Sequence, residues 1–262
     1  MEDYVRVSDI SNYLKCPRIV YYTYQDHQPE MTTTPAYIAT LLVKEMAHSF
    51  AEIITSENLD NDLEMLLEDS ALNLAAIYRD DIQNLNDDVL TESIELVRSW
   101  LGEIKAGIID SIERFKVGRL VCMLTSYSTE PVLYSKKYRI SGTPDRVLML
   151  DKAISLSIIR TGKAPDNGIW KNDRVRLTAL SILVEEEYDC FVERSIVEYA
   201  RYGIVREVQI KRADRRKVLA LASRIRKIRA GKLPQRPDST PCDYCGYKSF
   251  CSVIPTLASR FF

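Results

Sequence analysis

Four cysteines have the type and the spacing of a metal centre. Cys242 and Cys245 are separated by two residues, and Cys251 follows in the same segment. Thiolates spaced in this way, on a loop interrupted by proline and glycine, can converge on one metal. A closed zinc or four-iron site needs a fourth thiolate, for which Cys16 is the candidate. The competing interpretation is that these are reduced thiols buried as small apolar side chains.

A site shared by these sulfurs would tie residue 16 to residues 242–251. We therefore expect the fold to bring the two ends of the chain together. The other cysteines, Cys122 and Cys190, lie in apolar, strand-like segments, and we predict that both are core residues.

Two further residues are candidates for chemistry. Asp145 follows Gly142-Thr143-Pro144, so a turn presents its carboxylate at the start of a β-rich segment. Taken alone, it is equally compatible with an ordinary turn residue. His48 lies in an apolar-rich helical segment, where a single histidine is more often structural than catalytic.

Composition predicts a globular protein of the reducing intracellular space. The 262 residues are 46% hydrophobic, which is ample for a sizeable core. No stretch approaches the ~18 uncharged apolar residues of a membrane helix, and Met1-Glu2-Asp3 lacks the form of a signal peptide. We therefore expect a cytoplasmic protein without a membrane contact, whose cysteines are thiols or metal ligands and not disulfides.

The net charge of −1 conceals a segregation of charge along the chain. Residues 45–113 contain 17 acidic and 3 basic side chains, whereas residues 201–236 contain 13 basic and 2 acidic ones. The basic segment is dense enough to contact the phosphates of a nucleic acid, although such a run also fits a solvated helix face.

Periodicity predicts an α/β protein. A first helix over 6–24, capped by Ser8, is broken at Cys16-Pro17, and several acidic helices follow within 58–115. Further helices are predicted over 173–187 and 214–230, the latter closed by Gly231. The β-rich runs, the first five of which are expected to form one sheet, are 120–124, 132–134, 138–140, 146–150, 154–159, 195–200 and 205–210.

These motifs together resemble a known family, the RecB-like exonucleases of CRISPR spacer acquisition, which are the fourth Cas family and part of the PD-(D/E)XK nuclease superfamily. The matching residues are Ser8-Asp9-Ile10, Cys16-Pro17-Arg18, His48, Gly142-Thr143-Pro144-Asp145, Thr161-Gly162-Lys163-Ala164-Pro165, Cys242, Cys245 and Cys251.

The resemblance implies one RecB-like domain over 1–262, with a mixed central sheet and flanking helices. Its expected parts are an N-terminal and inserted helical lobe (about 36–117), a sheet core (about 118–212), and a basic helix with a C-terminal iron–sulfur loop (about 213–262). The loop would pack on the Cys16 helix. The resemblance also implies a 4Fe-4S cluster on the four cysteines named above, and catalytic roles for His48 and Asp145.

The sequence departs from the family at the nuclease motif. Metal-assisted phosphodiester hydrolysis requires at least two carboxylates to hold Mg²⁺ or Mn²⁺, together with a lysine. In the family, the second carboxylate and the lysine lie in an acidic-x-Lys-Thr-Gly run, where this chain has Ile158 and Arg160. Isoleucine cannot coordinate a hard cation, and arginine cannot act as a base. A Gln-x3-Tyr pair of the family is replaced by Arg176 and Leu180.

These departures favour binding without cleavage. Arg160, Arg174 and Arg176 would attract a DNA end or single strand while the cleft loses its metal. The expected partners are DNA and, by resemblance, a CRISPR integrase or another adaptation or repair protein. One alternative is an active exonuclease that uses Mg²⁺ or Mn²⁺ with a carboxylate supplied by Glu130 or Asp151. The other alternative is a structural subunit that does not bind DNA.

Overall fold

The computed structural model describes residues 4–29, 33–79, 82, 85–237 and 242–252. The chain begins with a short strand, β1 (Val5–Arg6), and two helices, α1 (Val7–Lys15) and α2 (Pro17–Thr23). Cys16 has an extended backbone between the helices, so the predicted break is confirmed. The predicted cap is wrong, because the Asp9 carboxylate, and not Ser8, accepts the Arg6 backbone N–H at 3.0 Å.

A helical lobe follows, as expected for the acidic segment. In the described part of 35–124 its helices are α3 (Pro35–His48), α4 (Phe50–Ile53), α5 (Leu59–Ile77), α6 (Asp87–Arg98), α7 (Leu101–Phe115) and α8 (Val117–Leu124). The strand predicted over 120–124 is therefore wrong, and the lobe extends beyond residue 117. Leu120, Met123 and Leu124 are buried at helical spacing. Cys122 is exposed on the opposite side, which contradicts its prediction as a core residue.

The strands form two sheets and not one. Among the described residues, the larger sheet has the order β2 (Ser128–Thr129), β5 (Arg146–Leu150), β6 (Ala153–Arg160), β7 (Arg194–Tyr199), β8 (Ile204–Gln209). Only the β6–β7 pair in this sheet is parallel. A smaller sheet joins β1, β4 (Ile140–Gly142) and β3 (Leu133–Ser135). Three residues, Thr143, Pro144 and Asp145, separate β4 from β5. Pro144 has no N–H to donate to a strand ladder.

Helices cover both faces of the larger sheet. The parallel β6–β7 pair requires a crossover, which α9 (Lys171–Glu187) supplies. On that face, α1, α9 and α10 (Arg212–Arg229) enclose one apolar core, and the helical lobe encloses a second core on the other face. Adjacent residues of β6 consequently enter different cores, Ile158 the first and Ile159 the second.

The C-terminal part of the chain follows the prediction. Gly231, with φ 94°, ends the basic helix in the left-handed region that glycine tolerates. The cysteine segment contains a 3-10 turn (Cys242–Tyr244) and α11 (Lys248–Ser252). Cys190 is half-buried and packs against the first core. Within the parts of the chain that the structure describes, no helix combines the length and apolar character needed to cross a membrane.

Candidate nuclease-like site and cysteine segment

The Asp145 carboxylate lies where β5 begins and is almost completely buried. Its Oδ2 accepts the backbone N–H of Ile159 at 2.9 Å, which ties it to β6. Arg146 pairs with Ser157 in the antiparallel register, so the next opposed pair is Asp145 and Ile158. Opposed residues point to the same face of a sheet. The position to which the resemblance assigns a second carboxylate is therefore beside Asp145, and isoleucine occupies it.

The resemblance leads one to expect polar residues at positions 158 and 180. Ile158 and Leu180 occupy these positions, and both are core residues. Each is fully buried, and each belongs to the core that α1, α9 and α10 enclose. A carboxylate at residue 158 would have to be buried among apolar groups, which is costly without a partner. Both departures from the family pattern therefore add apolar side chains to the same core.

Two cations of the protein itself flank Asp145. Lys44 of α3 places its Nζ 3.5 Å from Asp145 Oδ1 and 2.5 Å from Glu130 Oε1. On the other side, Arg176 Nη2 of α9 lies 3.5 Å from Asp145 Oδ2. Burial opposes the charge of Lys44, but the hydrogen bond to Glu130 and the Asp145 charge outweigh it and raise the pKa of the ammonium. Lys44 is therefore charged at neutral pH.

His48 lies one helical turn after Lys44 on α3, and it faces the same group of charges. Burial lowers the pKa of its imidazole, and the charge of Arg146 lowers it further. The ring is therefore neutral at pH 7. The end of α3 is fixed to the sheet by Arg146, whose Nη2 donates to the Ala47 carbonyl at 2.6 Å and whose Nη1 donates to the His48 carbonyl at 3.3 Å.

A buried ion pair holds Arg146 in place. Its Nε donates to Glu198 Oε1 of β7 at 3.1 Å, and both side chains are only 3% exposed. Ser157 Oγ donates to the same carboxylate oxygen at 2.5 Å. Burial raises the pKa of Glu198, and the Arg146 charge opposes that shift. Sequence reasoning missed this pair, because the two residues are 52 positions apart.

The three arginines predicted to bind DNA do not converge. Arg160 Nε lies 2.9 Å from Oδ1 of the buried Asp173 carboxylate, so the charge of Arg160 is balanced. Arg174 Nη1 donates to the Gln209 carbonyl at 3.2 Å and lies 3.6 Å from Asp214 Oδ2, on the side of β8 and α10. Arg160 and Arg176 line one groove, whereas Arg174 lines another pocket.

The groove beside the site has a volume of about 600 Å³ and runs between α1, β4 and α9. Its cationic lining residues are Arg6, Lys15, Arg160 and Arg176, and Ser8, Ser11, Asn12 and the exposed Tyr134 contribute polar groups. Part of the basic segment 201–236 serves the fold instead. Arg226 donates to the Tyr138 carbonyl, and Arg229 to the Tyr4 carbonyl.

The carboxylate alternatives differ in position. Glu130 is a neighbour of Asp145, because the two carboxylates share the Lys44 ammonium. Asp151 follows β5 at the end opposite Asp145 and pairs with Arg119 and Arg194. Only Glu130 can reach the site. Lys44 was not predicted, although its spacing of four residues from His48 places both on one side of a helix.

The residues around Asp145 do not fit a divalent cation. No group of three or more His, Cys, Asp or Glu side chains among the described residues is arranged to hold a metal ion. Two cationic side chains, Lys44 and Arg176, already balance the charge of the Asp145 carboxylate. The described residues around Asp145 therefore offer no place for the metal ion that metal-assisted hydrolysis requires.

The cysteine segment packs on α2, so the expected meeting of the chain ends is confirmed. Thr23 Oγ1 lies 3.0 Å from the Tyr247 hydroxyl, and Tyr22 OH donates to the Phe250 carbonyl at 3.2 Å. Arg18 Nη1 donates to Cys251 Sγ at 3.3 Å. Burial raises the pKa of Cys16, and the nearby charges of Cys251 and Cys245 raise it further.

Cys16, Cys245 and Cys251 therefore lie near one another, and the Cys245 backbone N–H donates to the Cys242 carbonyl at 3.3 Å. Four thiols are the donor set of an iron–sulfur cluster. The ligand roles of Cys16, Cys242, Cys245 and Cys251 stay a prediction, because these thiols too fall outside any metal-binding arrangement of the described residues.

Comparison with known proteins agrees with this geometry. A model of the PD-(D/E)XK nuclease superfamily matches residues 5–252. An uncharacterized protein of Archaeoglobus fulgidus is 26% identical over 137 residues, which are 52% of this chain and 61% of that protein. A CRISPR-associated exonuclease Cas4 of Thermoproteus tenax is 26% identical over 123 residues, 46% of this chain and 64% of that protein. The chain thus spans less than two thirds of these curated relatives.

A solved structure shows the same fold. The crystal structure of an exonuclease candidate from Eubacterium rectale matches with a TM-score of 0.50 and 13% identity, covering 97% of this chain and 90% of that one. At this identity the likeness concerns the fold alone. The predicted nuclease-like α/β fold with mixed sheets and flanking helices is confirmed, as is the resemblance drawn from the motifs. The chain belongs to the PD-(D/E)XK nuclease superfamily.

Proposed function

We propose that this protein binds DNA ends or single strands and has little or no nuclease activity of its own. The observation that carries the proposal is the state of Asp145, which is held by Lys44 and Arg176 beside a buried Ile158. A nuclease of this superfamily needs a divalent cation at this carboxylate. Lys44 and Arg176 occupy the space beside this carboxylate instead, and neither side chain can activate water as a metal ion does.

The groove between α1 and α9 supports DNA as the ligand. The groove presents Arg6 and Arg176 next to Lys15. Arg6 Nε and Nη2 already contact Asp9, and Arg176 Nη2 lies near Asp145, so a phosphate would be bound by Lys15 and by the remaining N–H groups of the two arginines. Hydroxyl and amide side chains in the lining can position a backbone without reading its sequence. The ligand in this proposal is therefore a DNA strand bound mainly through its phosphates.

The proposal includes a 4Fe-4S cluster on Cys16, Cys242, Cys245 and Cys251. Once bound, the cluster would supply iron–thiolate bonds across the contact between α2 and the cysteine segment. Arg18, which already donates to Cys251 Sγ, would orient that sulfur. In this assignment the cysteines have a structural role and take no part in hydrolysis.

The setting we infer is spacer acquisition or DNA repair in the cytoplasm, together with an integrase or another adaptation protein. Its support is the relative from Thermoproteus tenax that is named a CRISPR-associated exonuclease. Co-purification of the full chain with proteins from its own cell, with and without DNase treatment, would distinguish direct partners from proteins joined by DNA.

A second candidate function is that of an active exonuclease, and the position of Glu130 favours it. Its carboxylate shares a neighbour with Asp145 and could take the place of the acid that Ile158 replaces. This function requires Lys44 to leave the space between the two carboxylates. A structural subunit without affinity for DNA is the third possibility, and it predicts no binding at any salt concentration.

One experiment separates these functions. Protein purified without oxygen is incubated with end-labelled single-stranded DNA, with Mg²⁺ or Mn²⁺, at several salt concentrations. We expect salt-dependent binding and no cleavage. Cleavage that Asp145→Ala abolishes would establish the active exonuclease, whereas equal cleavage by the Asp145→Ala protein would identify a contaminating nuclease. An absence of binding would leave the structural subunit.

A further inference from the structure

We propose that Lys44 is an internal counter-cation: its ammonium takes the place of a divalent ion between Glu130 and Asp145 and prevents such an ion from binding there. The inference deepens the proposed function, because it names the group that keeps the site without metal. It does not depend on whether the protein binds DNA.

The contacts of Lys44 resemble those of a bound ion. Three separate elements meet at its Nζ: α3 carries the lysine, the loop before β3 carries Glu130, and β5 begins after Asp145. Lys44 Nζ lies 2.5 Å from Glu130 Oε1 and 3.5 Å from Asp145 Oδ1. The Asp145 side chain is 7% exposed, so water cannot readily replace the ammonium at that carboxylate.

The electrostatics follow from the same geometry. Two carboxylates that share one ammonium would repel each other if the ammonium were removed, and the repulsion would favour either a proton or a cation. Hard divalent cations prefer carboxylate oxygens, and Mn²⁺ also accepts imidazole. His48, with its neutral ring, lies on the same helix one turn after Lys44. A neutral residue at position 44 would therefore leave Glu130 and Asp145 without their shared cation, and Mn²⁺ could then take its place.

A tethered ammonium has an advantage over a free ion. It is held at the site by the helix, so its effective concentration does not depend on the metal content of the surroundings. Its raised pKa keeps it charged throughout the neutral range. A divalent ion could enter only by displacing a charge of the same sign.

The test is Mn²⁺ binding, measured by titration calorimetry and by the electron paramagnetic resonance signal of free Mn²⁺. Lys44→Met retains an unbranched side chain without the charge, and Lys44→Arg is the control that retains the charge. We expect Lys44→Met to bind Mn²⁺ at least about tenfold more tightly than the parent protein and Lys44→Arg to behave like the parent. Adding Glu130→Gln to Lys44→Met should abolish the gain.

Lys44→Met without a gain in Mn²⁺ affinity would overturn the proposal, as would a gain that survives Glu130→Gln. If Lys44→Met does not fold, the parent protein offers a second measurement. Modification by an amine reagent should be slower at Lys44 than at exposed lysines, and Glu130→Gln should accelerate it; equal rates in the parent and in Glu130→Gln would contradict the pairing. None of these readouts involves DNA or cleavage, so their failure is distinct from failure of the proposed function.

Discussion

At the scale of single residues, Arg146 determines how α3 meets the sheet. Its guanidinium joins the carbonyl groups at the end of α3 to the buried Glu198 carboxylate. The residue that follows Asp145 in sequence thus positions the helix that carries Lys44 and His48. The arrangement of the candidate site depends on this one buried ion pair.

Removing one member of that pair should be much worse than removing both charges. We expect Arg146→Ala to lower the free energy of unfolding by about 3–5 kcal/mol, because it leaves Glu198 buried without a counter-charge. Arg146→Met combined with Glu198→Gln should cost considerably less. Urea unfolding followed by circular dichroism measures both variants, and a double variant less stable than Arg146→Ala would contradict the explanation.

Restoring the nuclease motif should restore activity only in part. We expect negligible Mg²⁺- or Mn²⁺-dependent cleavage by the parent protein and a partial gain in Ile158→Glu, Arg160→Lys. The new carboxylate would enter an apolar core and lower stability by roughly 1–3 kcal/mol. Adding Lys44→Met should increase the cleavage rate further, because it vacates the space beside Asp145. A triple variant no faster than the double variant would show that Lys44 does not obstruct the metal.

His48 should make stability depend on pH. The folded protein depresses the pKa of this imidazole, so the unfolded chain binds its proton more readily. The stabilisation is present above the unfolded pKa of about 6.5 and is lost as the pH falls through the folded pKa. Urea unfolding at several pH values should show a smaller loss of stability on acidification in His48→Gln than in the parent protein.

Local sequence motifs pointed to some residues of the candidate site, whereas others could be found only in the structure. Asp145 and Ile158 each belong to a motif of fixed spacing, and the strand register brings them next to each other; their roles stay a prediction. Lys44 and Glu130 come together only through the packing of α3 against the edge of the sheet, which no local pattern encodes. Arg174 was grouped with Arg176 by proximity in sequence, but residues two apart on a helix do not share a face.

At the scale of secondary structure elements, α7 approaches the 3-10 turn after β7 without any intervening side chain. A Cβ atom at Gly107 would lie 1.7 Å from the Tyr202 carbonyl oxygen. Gly203, with φ 61°, also faces the helix, and its carbonyl accepts a hydrogen bond from Ser111. Two glycines therefore allow the acidic lobe to contact the end of the sheet backbone to backbone.

This contact predicts opposite effects of one substitution at two positions in α7. Gly107→Ala should destabilise the protein by about 1–3 kcal/mol, because the added methyl group has no space. Gly102→Ala meets no atom within 4 Å and should be neutral or stabilising by up to about 1 kcal/mol through helix propensity. Thermal unfolding compares them directly. Equal effects would show that the close approach is not important.

Helices were easier to predict than the sheets. The acidic helices and α10 have a clear apolar period, and the break at Cys16-Pro17 follows from the properties of proline. In α9 the residues 177–184 are buried without interruption, so its length and not its period indicated a helix. The segment 120–124 is uniformly apolar, so its period could not distinguish a strand from a short buried helix. The division of the strands into two sheets depends on the pairing of β1 with β4, more than a hundred residues apart, and was beyond local reasoning.

At the scale of the whole molecule, the junction between α2 and the cysteine segment should limit stability. Protein purified without oxygen should be brown with broad visible absorbance, and Cys16→Ser or Cys245→Ser should lose both the colour and roughly several kcal/mol of stability. Cys122→Ser, at an exposed position of α8, is the matched control and should change neither. Colourless protein that contains stoichiometric zinc would contradict the cluster.

The salt dependence of DNA affinity should show which face of the protein binds the DNA. Each phosphate contact contributes about 0.7–0.9 to the slope of log affinity against log salt concentration. Arg176→Gln, in the groove, should therefore decrease the slope, whereas Arg174→Gln, on the same helix but in another pocket, should change it much less. Fluorescence anisotropy with a labelled single strand measures both. Equal effects would place the DNA outside the groove.

The contact of α2 with the cysteine segment also has a consequence for synthesis. Thr23 meets Tyr247 across 224 positions, and Tyr22 meets Phe250 across 228. A ribosome adding about 5–20 residues per second needs roughly ten to forty-five seconds to deliver these partners. The buried members of the second core extend only to Val205, so that core can form early in this interval, whereas the first core needs α10 up to Ile228. The aromatic surface of α2 stays exposed for the whole interval. A chaperone that binds exposed aromatic side chains would therefore act on α2 of the emerging chain.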